Sequence, residues 1–163
     1  HLGPMIDLFE EAGCRIHTES RSVYLESSGN LRRIRMIRTM PYPGFPTDMQ
    51  PQITVLLALA SGTSKIVESV TDFRFQYTEE LKRMGADITV NGKMAMVSGP
   101  RMLKGMTVQA PDLRGGAALI IGALAAEGET MIQDVQFIDR GYDDIVGKLQ
   151  SVGAKIVRVE DDD

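Results

Sequence analysis

An internal repeat restricts the possible folds of this chain more than any other feature of its sequence. A helical stretch that ends in glycine and leads into an alternating run occurs three times without gaps, at residues 11–16, 83–88 and 151–156. Glycine in that place is typical of the left-handed residue that ends a helix before a strand. The copies lie about 70 residues apart, a longer period than that of solenoid proteins. The chain is therefore predicted to repeat an α/β module.

A second pair of similar segments supports this module. Residues 56–63 (LLALASGT) resemble residues 122–129 (GALAAEGE), and a run with strand character follows each of them. Packed copies of such a unit would form a composite α/β architecture. We predict that residues 1–40 are the end of one repeat unit, that 41–98 are a second unit, and that 99–163 are a third unit with a C-terminal tail.

The hydrophobic periodicity predicts where the elements lie. Helices are expected at 4–12, 48–61, 78–84, 113–127 and 140–152. Strands are expected at 14–18, 22–26, 31–38, 64–70, 87–90, 94–98, 106–110, 130–135 and 155–159. The helix at 48–61 has the clearest apolar spacing, and Thr47 with Gln50 fits a capping box at its start.

The composition excludes several classes of protein. The 163 residues are 43% hydrophobic and 25% charged, which is ordinary for a globular domain, and the net charge of −4 disfavours a nucleic-acid-binding protein. No apolar run reaches the roughly 18 residues of a membrane helix. Cys14 is the only cysteine, so an intrachain disulfide is impossible, and with His1 and His17 as the other soft ligands a zinc site is not expected. We expect a cytoplasmic part of a longer protein, with Cys14 as a small buried residue.

The loop at residues 41–50 (PYPGFPTDMQ) is the first candidate for a functional site. Three prolines and a glycine make it stiff, and it brings Asp48 to the start of a strong helix. Helix N-termini favour anions, so Asp48 could simply stabilise the helix dipole. The sequence leaves that alternative open.

Two further loops lead into predicted helices and carry an arginine beside glycine. In residues 111–118 (PDLRGGAA), Arg114 offers a forked donor for phosphate or carboxylate, while the glycines could instead allow close helix packing and Asp112 could be an N-cap. In residues 138–142 (IDRGY), Asp139 is expected to cap a helix that carries Arg140.

Two arginine-containing stretches have simpler interpretations. Arg74 lies between Phe73 and Phe75, so it could be a stacked cation, although the aromatics of such a pattern more often lie in the core. The basic run at 32–38 alternates with Ile34 and Met36, which indicates a half-buried strand with one charged face.

Four segments together resemble one known family. Residues 38–52 (RTMPYPGFPTDMQPQ) look like the characteristic loop of the UDP-N-acetylglucosamine enolpyruvyl transferases, also called 1-carboxyvinyltransferases. The segments at 73–75, 112–117 and 138–142 follow in that family's order and spacing. The resemblance covers nearly the whole chain.

The resemblance implies a fold and an activity. The fold is the inside-out α/β barrel of the enolpyruvate transferases (EPSP synthase-like), with two similar domains and an active site in the cleft between them. The reaction moves the enolpyruvyl group of phosphoenolpyruvate to the 3′-hydroxyl of UDP-N-acetylglucosamine and releases phosphate, at the first committed step of bacterial peptidoglycan synthesis. It requires no cofactor and no metal. This chain would be the C-terminal part of the enzyme, and its partner would be the N-terminal domain of the same protein.

The resemblance also implies roles for residues of the loop at 41–50. Asp48 matches the proposed general base near the sugar hydroxyl, where a base must reach the attacking group to take its proton. Pro46 and Thr47 match positions near the nucleotide.

The remaining roles fall on the other three segments. Arg114 and Arg140 match arginines that hold the carboxylate and phosphate of phosphoenolpyruvate, and they would offset charge during the reaction. Arg74 matches another arginine of the same basic site. Asp112 matches an acid that orients Arg114 or assists proton transfer.

Some features depart from the family pattern. Asp72 and Phe73 replace the usual glutamate and asparagine before Arg74, and the family's reactive cysteine loop and a lysine belong to the N-terminal half, so Cys14 does not match that cysteine. The chain alone is therefore expected to be inactive, and an exposed apolar surface could drive self-association. Two alternatives stay open: the sister reaction on shikimate 3-phosphate, and a non-catalytic protein that binds a UDP-sugar.

Overall fold

The computed structural model describes residues 2–160 and consists of short helices and strands in the order that the repeat predicts. The helices are α1 (Gly3–Glu11), α2 (Gln50–Leu59), α3 (Tyr77–Arg83), α4 (Leu113–Ala125), α5 (Gln136–Asp139) and α6 (Ile145–Ser151). The strands are β1 (Arg15–Thr18), β2 (Val23–Glu26), β3 (Met36–Arg38), β4 (Gly62–Val67), β5 (Asp87–Asn91), β6 (Met94–Gly99), β7 (Thr107–Gln109) and β8 (Met131–Gln133). A 3₁₀ turn at Thr47–Met49 precedes α2.

The three glycines of the first repeat end their helices in the same way. Gly13, Gly85 and Gly153 have φ angles of 97°, 114° and 99°, a region that side chains disfavour. The residue after each glycine donates its N–H to a carbonyl of the preceding helix at 2.9–3.0 Å. The predicted left-handed helix ends are confirmed.

The second repeat also has one backbone conformation. Helices α2 and α4 end at Ala60 and Ala126, which are extended with ψ angles of 151° and 153°. Each alanine is followed two residues later by a glycine of positive φ, 108° at Gly62 and 80° at Gly128. Similar sequence therefore produces the same turn from helix to strand in both copies.

The strands form three separate sheets. Strands β1 and β2 form an antiparallel pair, and β7 and β8 form a parallel pair. The third sheet has the order β3-β4-β6-β5, in which β3 runs parallel to β4 and the other neighbours are antiparallel. Consequently, the carboxyl ends of β3 and β4 lie side by side, and so do those of β7 and β8.

Helices α2 and α4 lie in the interior of the protein, and the sheets lie outside them. No residue of α2 is exposed, and most of the first half of α4 is buried. Ile53, Leu57 and Leu119 belong to one core with Ile66 and Val97. Ile66 is an inward-facing residue of β4, and Val97 is an inward-facing residue of β6. The fold expected from the family resemblance, an α/β arrangement with central helices, is confirmed.

Three expectations near the C-terminus are wrong. Of the helix expected at 140–152, only α6 is helical, and α5 ends before the expected start. Helix α6 is capped by Asp144, whose Oδ1 accepts a hydrogen bond from the Gly147 N–H at 3.2 Å. Asp139 is the last residue of α5 and not a cap; it forms an ion pair with Arg158 at 2.8 Å. The strand expected at residues 155–159 is not formed, since these residues pair with no strand within residues 2–160.

The basic run and the capping box also differ from expectation. Regular strand is confined to β3, and the buried residues are Ile34 and Ile37, so Met36 is exposed and the simple alternation is broken. Thr47 makes no capping bond at the start of α2, because its hydroxyl turns inward. Cys14 is buried as expected.

Within residues 2–160, no helix is long and apolar enough to cross a membrane, and no three His, Cys, Asp or Glu side chains are grouped so that they could hold a metal ion.

Candidate functional site

The segments that carry the predicted site residues follow the carboxyl ends of the parallel strands. Asp48 and Arg74 come after β3 and β4, and Arg114 and Arg140 come after β7 and β8. Parallel pairing sets each pair of strand ends side by side. The repeat thus brings all four segments to corresponding places in the two parallel strand pairs.

The proline-rich loop folds back on the strand that precedes it. The Met40 N–H donates to the carbonyl of Phe45 at 2.9 Å, and the ring of Phe45 is buried. A Cβ on Gly44 would lie 2.5 Å from Cβ of Met40, so only glycine allows this close return. The loop then delivers Asp48 to the turn before α2 with about half of its side chain exposed.

Asp48 lies between two arginines from separate elements. Its Oδ1 is 3.6 Å from Nη2 of Arg74, and its Oδ2 is 3.3 Å from Nη2 of Arg114. Only 15% of the Arg74 side chain is exposed, against 53% for Asp48. Each guanidinium has five N–H donors, so its bond to Asp48 leaves others for a bound anion. The simpler interpretation of the aromatics beside Arg74 holds for one of them: Phe75 is in the core, whereas Phe73 is 88% exposed.

Arg114 is held from the other side by Tyr142. Its Nη1 donates to the Tyr142 hydroxyl at 3.0 Å, and its Cζ lies 5.7 Å from the centroid of that ring. The amide of Gln52, on α2, donates to the same hydroxyl at 3.4 Å. This geometry combines a hydrogen bond with a cation–π contact, so the guanidinium has a defined orientation.

Asp112 and the two glycines after Arg114 have structural roles. Asp112 is the N-cap of α4, and its Oδ1 accepts a hydrogen bond from the Gly115 N–H at 2.7 Å. A Cβ on Gly116 would lie 2.6 Å from Cγ1 of Ile138, so this glycine permits α4 to pack against α5. The interpretation as cap and packing residues is confirmed, and Arg114 still projects from the same turn toward Asp48.

The structure does not bring Arg140 into contact with Asp48. The Arg140 side chain is exposed, and its Cζ lies 5.3 Å from the centroid of the Phe137 ring. The chain nevertheless passes close to the start of α4 there, since a Cβ on Gly141 would lie 2.5 Å from the Leu113 side chain. Arg140 is thus two residues from Tyr142, which does contact Arg114.

Pro46 and Thr47 lie directly before Asp48 and are half-buried. The Thr47 hydroxyl donates to Oε1 of Glu68 at 2.8 Å and lies 3.2 Å from the hydroxyl of Thr71. Its hydroxyl is therefore engaged within the protein. The expected contact of these two residues with a substrate stays a prediction.

Glu68 is a buried residue that the sequence analysis did not single out. Burial by itself would raise the pKa of the Glu68 carboxyl, but the hydrogen bonds that it accepts outweigh burial and lower that pKa below its ordinary value. A signal was present in the sequence: Glu68 continues the inward-facing alternation of Ser64 and Ile66. A carboxylate on the inner face of a strand is unusual enough to mark a site.

Tyr77 extends this buried polar network. Its hydroxyl donates to Oε1 of Gln50 and lies 2.8 Å from Oγ1 of Thr54, while the amide of Gln50 donates to Glu68 at 3.4 Å. Burial raises the pKa of the Tyr77 phenol. The start of α2 is therefore tied to α3 and to the end of β4.

A cleft of about 630 Å³ opens beside these residues. Glu68, Arg74 and Phe75 line one part of it, and Lys93 and Asp72, which form an ion pair at 3.3 Å, line another. The buried carboxylate and the site arginine thus share a concave surface.

Comparison with known proteins gives matches along almost the entire chain. The family model of EPSP synthase (3-phosphoshikimate 1-carboxyvinyltransferase) matches residues 3–149. A UDP-N-acetylglucosamine 1-carboxyvinyltransferase of Desulfofundulus thermocisternus is 50% identical over 163 residues, which are 100% of this chain and 67% of that protein. The UDP-N-acetylglucosamine 1-carboxyvinyltransferase 2 of Caldanaerobacter subterraneus is 48% identical over 98% of this chain, which spans 38% of that relative's length.

Solved structures show the same similarity in three dimensions. The crystal structure of the enolpyruvyl transferase NikO from Streptomyces tendae matches 94% of this chain and 36% of its own, with 32% identity and a TM-score of 0.86. An EPSP synthase from Acinetobacter baumannii covers 86% of this chain and 36% of its own, with 16% identity and a TM-score of 0.58, which shows the fold alone. These matches agree with the resemblance inferred from the four segments.

Proposed function

The chain belongs to the EPSP synthase family, and from that premise we propose that the protein carrying it is a UDP-N-acetylglucosamine enolpyruvyl transferase. The proposed reaction joins the enolpyruvyl group of phosphoenolpyruvate to the 3′-hydroxyl of UDP-N-acetylglucosamine and releases phosphate. The observation that carries the proposal is the position of Asp48, at the start of α2 and within 3.6 Å of two arginines from other elements. The relatives at 48% and 50% identity support the choice of the UDP-sugar as acceptor.

The proposed role of Asp48 is that of the general base. Its exposed carboxylate takes the proton of the sugar hydroxyl while the oxygen bonds to C2 of phosphoenolpyruvate and a second proton is added at C3. Loss of a proton from C3 and cleavage of the bond between C2 and the phosphate oxygen then release phosphate. The acid that protonates C3 is proposed to come from the part of the enzyme that this chain does not contain.

The proposed role of the arginines is to hold the anionic groups of phosphoenolpyruvate. Arg114 is oriented by Tyr142 and retains free donors, which suits a carboxylate or a phosphate. Arg74 is mostly buried, where a cation acts more strongly on a nearby anion. Arg140 is exposed and would have to approach the bound anion when the cleft is complete.

The test is phosphate release from phosphoenolpyruvate by the full-length protein that carries this chain. We expect release with UDP-N-acetylglucosamine and none with shikimate 3-phosphate, and no release by the 163-residue chain alone. Release with shikimate 3-phosphate only would assign the sister reaction. No release with either acceptor, from folded protein that binds the UDP-sugar, would favour the non-catalytic alternative.

A further inference from the structure

Glu68 is a buried carboxylate that no cation neutralises. Its residue is 2% exposed, and within residues 2–160 it forms no ion pair with lysine or arginine. An ionised carboxylate out of water is costly unless hydrogen bonds replace the lost hydration. A glutamate here, directly after β4 and in line with its inward residues Ser64 and Ile66, therefore calls for a specific use.

Three hydrogen-bond donors to Glu68 come from the two ends of the proline-rich loop at residues 41–50. The Thr39 hydroxyl, before the loop, donates to Oε2, and the Thr47 hydroxyl, near the end of the loop, donates to Oε1 at 2.8 Å. The amide of Gln50, in the first turn of α2, donates to Oε1 at 3.4 Å. One carboxylate thus closes the loop whose last residues include Asp48.

The remaining donors lie on the segment that leads to Arg74. The N–H groups of Val70 and Thr71 donate to Oε2 of Glu68 at 3.0 and 3.1 Å. This segment runs from the end of β4 to Arg74, which reaches Asp48 at 3.6 Å. Glu68 therefore connects the two separate pieces of chain on which Asp48 and Arg74 stand.

We propose that Glu68 is a positioning residue that sets the location of Asp48 relative to Arg74 through Thr47 and the backbone of residues 70–71. This inference rests on the proposed function and deepens it, because it names what orients the base of that reaction. Hydrogen bonds to a charged group are shorter and stronger than neutral ones, so a carboxylate holds several donors in a fixed geometry that a neutral amide would not.

The experiment compares two variants of the full-length protein with the wild type in the phosphate-release assay. Glu68→Gln keeps the shape and removes the charge, and Thr47→Val keeps the branched side chain and removes the hydroxyl next to Asp48. We expect kcat to fall by about 10- to 100-fold in Glu68→Gln and by about 3- to 10-fold in Thr47→Val, because a displacement of about 1 Å can cost about 100-fold. KM for the UDP-sugar should stay within about threefold in Glu68→Gln, since Glu68 is buried and has no proposed contact with the substrate. Thr47 matches a position near the nucleotide, so the kcat of Thr47→Val is measured at saturating UDP-sugar.

Two control variants separate positioning from loss of stability. Ile66→Val removes one methylene group from the core two residues before Glu68 and leaves every donor to Glu68 in place. Thr63→Val removes a hydroxyl that contacts Ser98 at 2.9 Å on the same sheet. Both should lower the melting temperature and keep the wild-type kcat, measured per folded molecule.

The outcomes distinguish the two proposals. No turnover by the wild type overturns the proposed function and this inference with it. Turnover by the wild type with an unchanged kcat in both Glu68→Gln and Thr47→Val overturns the positioning role alone. If Glu68→Gln loses no more kcat per folded molecule than Ile66→Val does, Glu68 contributes to stability only and the positioning role is overturned. If Glu68→Gln does not fold, the kcat of Thr47→Val against that of Thr63→Val decides the question.

Discussion

At the scale of single residues, the site depends on how each charge is partnered. Asp48 is exposed but paired with two arginines, whereas Glu68 is buried and holds only neutral donors. The first arrangement leaves a carboxylate that solvent and substrate can reach. The second arrangement holds the backbone of residues 70–71 in place, because a carboxylate removed from water is stable only while its hydrogen-bond donors stay in position. These different partners support the different roles proposed for the two acids.

Replacement of Asp48 by asparagine tests the proposed base. In the full-length protein, Asp48→Asn should lower turnover by about 100-fold or more, since general bases contribute about 10²- to 10⁴-fold. The affinity for the UDP-sugar, measured by calorimetry, should change much less. Asp87→Asn is a suitable control, because Asp87 also pairs with an arginine, at 3.4 Å, but on a strand distant in sequence from the site segments. Wild-type turnover in Asp48→Asn would remove Asp48 as the base.

At the scale of elements, the repeat explains which residues meet. In one copy Asp48 precedes α2 and Arg74 follows β4; in the other, Arg114 begins α4 and Arg140 follows β8. The glycines and the helix ends could be predicted because they depend on local backbone conformation. The division of the last helical region into α5 and α6 could not, because it follows from the close passage of Gly141 against Leu113, which are far apart in sequence.

The packing of α4 against α5 gives a prediction for Gly116. Gly116→Ala should lower the free energy of unfolding by about 1–3 kcal/mol, because the added methyl would meet the Ile138 side chain, and overpacking of a core has that cost. Denaturant unfolding of the full-length protein measures the change. Gly3→Ala is the matched control, since no atom lies within 4 Å of its added Cβ. A Gly116→Ala protein as stable as Gly3→Ala would contradict the packing role.

At the scale of the whole molecule, the helices supply the core and the sheets cover it. One hydrophobic cluster contains α2, α3 and most of the strands, and a smaller one surrounds Ile138 near α5 and α6. The site segments follow the ends of the parallel strands, and Phe45 and Phe75 of these segments are part of the larger cluster together with Tyr77. The stability of the fold and the geometry of the site are therefore linked.

This link predicts a pH dependence of stability. The pKa of Glu68 is lowered in the folded state relative to its ordinary value of 4.5, so its contribution is complete above about pH 4.5 and is lost as the pH falls through the folded pKa. The difference in free energy of unfolding between wild type and Glu68→Gln should shrink between pH 6 and pH 3. Urea unfolding over that range measures it, and a difference independent of pH would show that the charge of Glu68 contributes nothing.

The sequence by itself determined the features that depend on neighbouring residues. Glycine after a helix imposes the left-handed end, Asp112 caps its own helix, and the small Cys14 lies buried where the repeats have alanine. The family's four segments also predicted the family to which the comparisons assign the chain. These predictions succeeded because backbone conformation, capping and motif spacing are read along the chain.

Only the tertiary structure decided which of these residues meet. Asp48, Arg74 and Arg114 lie on separate elements, and their contacts follow from the parallel pairing of β3 with β4 and the packing of α2 against α4. The burial of Glu68 and the lack of a strand at residues 155–159 were decided in the same way. Strand pairing and burial depend on partners distant in sequence, so the local pattern alone does not specify them.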